Sequence, residues 1–141
     1  MASSAIKTFF IHGKGARSEG PAGGYAWWRT GKGKYGYEIL DETTRNQAEY
    51  LALVSALRYV VPKSRVLILT DSQLVVDQFA GRCRVVNPEL RKAARQVNRL
   101  IEEKMLDVDI QRAPDWKPND AAELLASMLE FDRHGILHRH E

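Results

Sequence analysis

The sequence predicts an α/β fold: a three-strand antiparallel meander, then strands alternating with helices, making a mixed sheet with helices packed on it. Three observations predict it. Glycine-rich turns separate apolar runs through the first forty residues. Apolar residues then recur with a helical period, at Tyr50, Leu53, Val54, Leu57 and Val61. The unbroken apolar run Arg65–Thr70 reads as a strand buried on both faces, as parallel pairing requires.

The elements follow in order. Residues 7–12 form a first strand, since Thr8, Phe9, Phe10 and Ile11 are β-branched, aromatic or apolar. Residues 13–24 form a loop rich in glycine. Residues 25–29 and 35–40 form a hairpin across Thr30-Gly31-Lys32-Gly33, with Tyr35, Tyr37 and Ile39 sharing a face. A helix capped by Thr43 or Thr44 carries the Tyr50–Val61 stripe and ends by Pro62. After the strand at 65–70, a short helix spans 72–79 and stops near Gly81. Pro88 opens a longer helix, striped by Leu90, Ala93, Ala94, Val97, Leu100 and Ile101. Val108 and Ile110 mark a last strand, 115–119 a polar loop, and 121–131 a final helix. Adjacent Trp27 and Trp28 point to opposite faces of their strand.

The 141 residues suffice for one domain, assigned to 1–131, with a polar tail at 132–141 that carries His134, His138 and His140. A 44% apolar and 28% charged composition excludes a disordered tail protein and a low-complexity fibre. No run approaches the ~18 apolar residues of a membrane span, and the N-terminus lacks a signal-peptide pattern. Cys83 is the only cysteine, so there is no internal disulfide, and the cytoplasm is the expected compartment. A net charge of +3 permits a polyanionic partner without demanding one.

In mixed sheets ligands collect at the carboxyl ends of parallel strands. Here those ends are His12 and Thr70-Asp71. Asp71 reads either as a carboxylate in the crevice or as an N-cap for the next helix. Glu49 lies beside the apolar stripe of its helix, as a boundary residue or a group reaching over the sheet. Asp120-Ala121-Ala122-Glu123 fits a capping box. Carboxylates from three such segments, brought together, would repel one another, and a divalent cation removes that penalty. Oxygen ligation selects Mg²⁺ or Mn²⁺. Two such ions about 4 Å apart can activate water and stabilise a leaving oxygen in phosphodiester hydrolysis.

At these residues the chain resembles a known family. Glu42-Thr43-Thr44-Arg45-Asn46-Gln47-Ala48-Glu49-Tyr50-Leu51-Ala52-Leu53 is similar to the first helix of type 1 ribonuclease H. Thr70-Asp71-Ser72-Gln73-Leu74-Val75-Val76 resembles its strand-end aspartate motif, and the 22 residues from Glu49 to Asp71 suit it. Gly20-Pro21-Ala22-Gly23-Gly24-Tyr25 resembles its glycine-rich loop, and Asn119 followed by Glu123-Leu124-Leu125-Ala126 its closing motif. The resemblance runs from about residue 5 to residue 130, and the short stretch between Gly81 and Pro88 matches the compact form. It implies a five-stranded mixed sheet with helices on both faces. It also implies cleavage of the RNA strand of RNA–DNA hybrids with two divalent ions, Mg or Mn, held by four acidic residues.

Glu49 and Asp71 match two of those positions. Glu123 stands where the fourth aspartate is expected, with Asp120 one turn away as a competitor. His12 stands in place of the first, whose carboxylate normally bridges both metals. A neutral imidazole has one lone pair and cannot bridge, and it suits Mn²⁺ better than Mg²⁺. The loop before the last helix also lacks the histidine that many relatives carry.

The resemblance places Gly13, Ser18 and Gly20 against the hybrid, with Asn46 and Gln47 at its minor-groove edge. Arg45 stands where a second Asn is usual, available to phosphate. Arg82 and Arg84 flank the turn before the long helix and are assigned to the DNA strand. Arg91, Arg95 and Arg99 make a basic stripe, either a polyanion contact or a solvated face paired with Glu89, Glu102 and Glu103. The sequence thus supports a monomeric, metal-dependent hybrid endonuclease with a His-Glu-Asp-Glu site. The alternative is a module of the same fold that binds hybrid or duplex RNA without cutting.

Overall fold

The computed structural model describes residues 5–133. The tail histidines His134, His138 and His140 lie outside the described residues. The elements are β1 (Ile6–Lys14), β2 (Gly23–Arg29), β3 (Lys34–Leu40), α1 (Arg45–Tyr59), β4 (Arg65–Thr70), α2 (Gln73–Phe79), α3 (Pro88–Lys104), β5 (Asp107–Arg112) and α4 (Asp120–Arg133). One five-stranded sheet has the order β3-β2-β1-β4-β5. The β1–β2 and β2–β3 pairs are antiparallel; β1–β4 and β4–β5 are parallel. No helix among the described residues is long and apolar enough to cross a membrane.

Alternation along β1 sorts the core into two layers, because successive side chains leave a strand on opposite faces. Phe9 and Ile11 join Trp27, Val66, Ile68 and the apolar faces of α1, α2 and α3 in the larger cluster. Phe10 turns the other way, to Ala26, Leu69, Ala113, Ala121 and Leu125 beneath α4. Helices therefore cover both faces. Trp27 is buried and donates from Nε1 to Ser55 Oγ (3.0 Å), whereas Trp28 stacks on Tyr35 in the opposite layer.

Several boundaries differ from the sequence expectation, each for a tertiary reason. Gly13 and Lys14 belong to β1 rather than the loop, because they pair with Tyr25 and Gly24. The alternation in β3 buries little: β3 is an edge strand, and Tyr35 is 51% exposed. Val61 is not on α1, since the helix ends at Tyr59 with Val60 as an extended C-cap. The Lys104 ammonium donates to the carbonyls of Leu57, Arg58 and Val60, filling acceptors that the helix end leaves open. α1 buries more than its stripe, for Ala48, Ala52 and Ala56 are also covered. Thr44, not Thr43, is its cap, accepting from Gln47 N–H (3.0 Å). α4 runs two residues into the expected tail. The expected Asp120 capping box does not form: the Asn119 side chain accepts from Ala122 N–H, and Asp120 is the first helical residue.

Candidate active site

The parallel pairing of β1 with β4 aligns Ile11 with Thr70, so His12 and Asp71 emerge side by side at the carboxyl edge of the sheet. Ser72, not Asp71, caps α2 by accepting from Val75 N–H, which leaves the Asp71 carboxylate outside the cap. α1 crosses this edge close to β1. Gly13 permits the approach, because a side chain there would run into the Ala48–Glu49 backbone.

The close crossing buries Glu49 completely. Its carboxylate is held at both oxygens: Gly13 N–H donates to Oε1 (2.8 Å), and Thr70 Oγ1 donates to Oε2 (2.9 Å). Thr70 is itself fixed, accepting from Ser72 N–H (3.0 Å). Burial pushes the Glu49 pKa up to about 7, outweighing the two hydrogen bonds and the Arg45 charge that favour the carboxylate.

Asp71 is oriented from the other layer. Asn119 Nδ2 donates to Asp71 Oδ2 (3.0 Å) and to the Ile11 carbonyl (3.1 Å). Asn119 thus ties β1, the end of β4 and the start of α4 together. His12 stands between the carboxylates, its Nδ1 3.4 Å from Asp71 Oδ2 and 3.9 Å from Glu49 Oε1. Neither contact has hydrogen-bond geometry, and Nδ1 is a buried polar atom without a hydrogen-bond partner. Burial holds the His12 pKa below its usual value, opposed by the Asp71 charge. Burial thus favours the uncharged form of both His12 and Glu49.

The structure therefore joins three of the expected site residues and leaves one apart. Glu123 is exposed one turn beyond Asn119, and among the described residues no hydrogen bond or ion pair links its side chain to His12, Glu49 or Asp71. Among the described residues, no group of three or more His, Cys, Asp or Glu is arranged as a finished metal site. By type, though not as a finished cluster, the donors His12, Glu49 and Asp71 suit divalent ions that tolerate nitrogen, with the orphaned Nδ1 as that nitrogen.

Beside this edge lies a cleft of about 910 Å³ between the glycine-rich loop and the start of α1. Ser18, Gly20, Arg45 and Gln47 line it, with Lys14 and Arg17. The loop is anchored there by paired Ala16 and Thr43 hydrogen bonds (2.8 and 2.9 Å). Asn46 is half-buried beside the cleft wall, and Gln47 accepts from Thr43 Oγ1. Arg82 is engaged by Asp77 through two nitrogens (3.1 Å each), whereas Arg84 is exposed. Thr70 and the Asn119 side chain were not assigned roles from sequence. The motifs contained both residues, but their partners are 21 and 48 residues away.

Fold and site together define the class: this chain has the ribonuclease H fold, a mixed sheet with acidic side chains gathered at the ends of β1 and β4. Its structural neighbours are ribonucleases H1. LC11 ribonuclease H1, isolated from compost and solved with an RNA/DNA hybrid, matches with a TM-score of 0.77 at 22% identity, over 90% of this chain and 99% of that one. Ribonuclease H1 of the halophilic archaeon Halobacterium salinarum NRC-1 matches with a TM-score of 0.72 at 25% identity, over 91% and 99%. The N-terminal ribonuclease H domain of rv2228c from Mycobacterium tuberculosis gives 0.70 at 22% identity, over 92% and 98%. No protein-family model matches the chain.

Proposed function

We propose that this chain is a ribonuclease that cleaves the RNA strand of RNA–DNA hybrids, acting as a single-domain monomer in the cytoplasm. The convergence of Glu49, Asp71 and His12 at the sheet edge beside a basic cleft carries the reading. A neighbour of the same fold, solved with an RNA/DNA hybrid, supports the substrate class. In this reading Lys14, Arg17 and Arg45 meet phosphates. Gly13, Ser18, Gly20, Asn46 and Gln47 meet the minor-groove side, where two-way hydrogen bonding recognises a 2′-hydroxyl. Arg82, shared with Asp77, and Arg84 meet the DNA strand.

Asp71, Glu49, Glu123 and His12 Nδ1 would hold two divalent ions, Mg²⁺ or Mn²⁺. Such ions supply Lewis acidity and a more acidic water when bound. The chain's own contribution is orientation: Asn119 fixes Asp71, while Gly13 and Thr70 fix Glu49. Glu123, on the exposed start of α4, is proposed as the third acidic group and fourth member of the site, with Asp120 as its substitute. Because His12 supplies nitrogen and no bridging carboxylate, Mn²⁺ supports cleavage better than Mg²⁺.

The unpartnered Nδ1 and the absence of a finished metal cluster among the described residues favour a second reading, a hybrid-binding module without turnover. Cleavage of a labelled hybrid with each metal, beside His12→Asp, separates the two. Turnover with Mn²⁺ exceeding that with Mg²⁺, and faster Mg²⁺ turnover in His12→Asp, is expected. Salt-sensitive binding without cleavage, restored by His12→Asp, would establish the module instead. Mg²⁺ turnover as fast in the unmodified chain as in His12→Asp would refute the role given to His12.

A further inference from the structure

We infer that the exposed face of α3 is a second polyanion surface, separate from the cleft, that grips the phosphate backbone of duplex nucleic acid without reading its bases. The inference rests on the nucleic-acid reading above, and its test uses a duplex that contains no RNA.

Arg91, Lys92, Arg95 and Arg99 are exposed, while Leu90, Ala93 and Val97 on the opposite side of the helix are buried against the core. Lys92, Arg95 and Arg99 border one shallow depression of about 340 Å³. None of the four has a side-chain hydrogen bond or ion pair among the described residues, although Glu102 and Glu103 lie one turn beyond Arg99. Arg82, by contrast, is neutralised by Asp77.

The arrangement costs the helix something and returns nothing within the folded chain. Arg91–Arg95 and Arg95–Arg99 are like-charge pairs at i,i+4, which weaken a helix. Arg91 also follows the first turn, where the helix dipole disfavours a cation. These four cations exceed the chain's net charge of +3, so the rest of the molecule is net acidic.

The geometry selects the partner. Residues four apart rise about 6 Å, so the three guanidinium groups span about 12 Å of axis. A duplex carries roughly seven phosphates over that length. Guanidinium forks suit phosphate oxygens. The neighbours on this face are half-buried Gln96 and exposed Asn98, with no aromatic platform for a base. Contact with the backbone alone is what such a face provides.

The test is fluorescence anisotropy with a labelled 24-base-pair DNA duplex over a salt series, in the full chain. In Arg91→Gln/Arg95→Gln/Arg99→Gln, the slope of log affinity against log salt is expected to fall by two to three, at about 0.9 per phosphate contact. Glu102→Lys/Glu103→Lys, which extends the face, should steepen the slope by up to two. Arg91→Lys/Arg95→Lys/Arg99→Lys should leave it near its original value. An unchanged slope in both the Gln and the Glu→Lys variants would overturn the inference, as would the same response with poly-glutamate and none with DNA. Failure of hybrid cleavage would leave these slopes untouched, so the two readings fail separately.

Discussion

Replacing Glu49 by Gln should stabilise the fold, increasingly so as the pH rises. Glu49 is fully buried, and its pKa stands near 7 against an ordinary 4.5. The folded chain therefore holds this proton more tightly than the unfolded chain does. Between pH 4.5 and 7 the native state binds more protons, so the contribution of Glu49 to stability falls as pH rises and levels off above 7. At about 1.36 kcal/mol per unit, ionisation costs the fold about 3 kcal/mol between pH 4.5 and 8.5. Gln carries no such term and keeps an oxygen for Gly13 N–H. The assay is urea or thermal unfolding of both proteins across that range, in chelator. The Gln variant should gain about 3 kcal/mol on the unmodified chain from low to high pH, or roughly 10 °C in melting temperature. His12, whose pKa is depressed by burial, has the opposite sign: its contribution grows as pH rises toward 6.5. It is present in both proteins and largely cancels in the difference. A stability difference constant within 0.5 kcal/mol across the range would refute the reasoning.

The other predictions concern positioning and packing. Asn119→Ala removes a helix cap worth about 1 kcal/mol and releases Asp71, so turnover should fall at least tenfold while hybrid affinity changes little; kcat and KM measured separately check this. Thr70→Val keeps shape but leaves Glu49 Oε2 and Ser72 N–H without their partner, at a cost of about 2–4 kcal/mol at pH 8 by urea titration. Lys104→Met removes three bonds to the end of α1, which should cost about 2–3 kcal/mol by the same titration. Gly13→Ala pushes a methyl group into the Ala48–Glu49 backbone, and loss of cleavage with a lowered melting temperature is expected.

Local signals were readable where they were self-sufficient. The run from Arg65 to Thr70 delimits β4, because an apolar strand between polar turns needs no partner to be recognised. Pro88 opens α3, since proline suits a first helical turn, and Asn87 caps it. Period alone did not reveal which acidic residue would be sealed in the core. Glu49 is buried because Gly13, 36 residues earlier, lets α1 approach β1. Likewise Asn119, not Asp120, caps α4, because its side chain also binds Asp71 and Ile11, contacts that sequence spacing does not contain. Val61 fits the helical period but falls beyond the cap, where Lys104 closes the carbonyls.

The unequal layers on the two sides of the sheet carry a consequence for how the protein fails. α1, α2 and α3 share the larger cluster, whereas α4 rests on the smaller one around Phe10, Leu69 and Leu125. Elements with fewer buried contacts open at lower free energy than the whole domain. Asn119 begins α4, so such an opening releases Asp71 while Glu49 stays locked beneath α1. The residue that orients Asp71 therefore belongs to the smaller of the two layers. If the proposed cleavage is right, an opening confined to α4 should abolish it on warming while the larger cluster and the sheet stay folded.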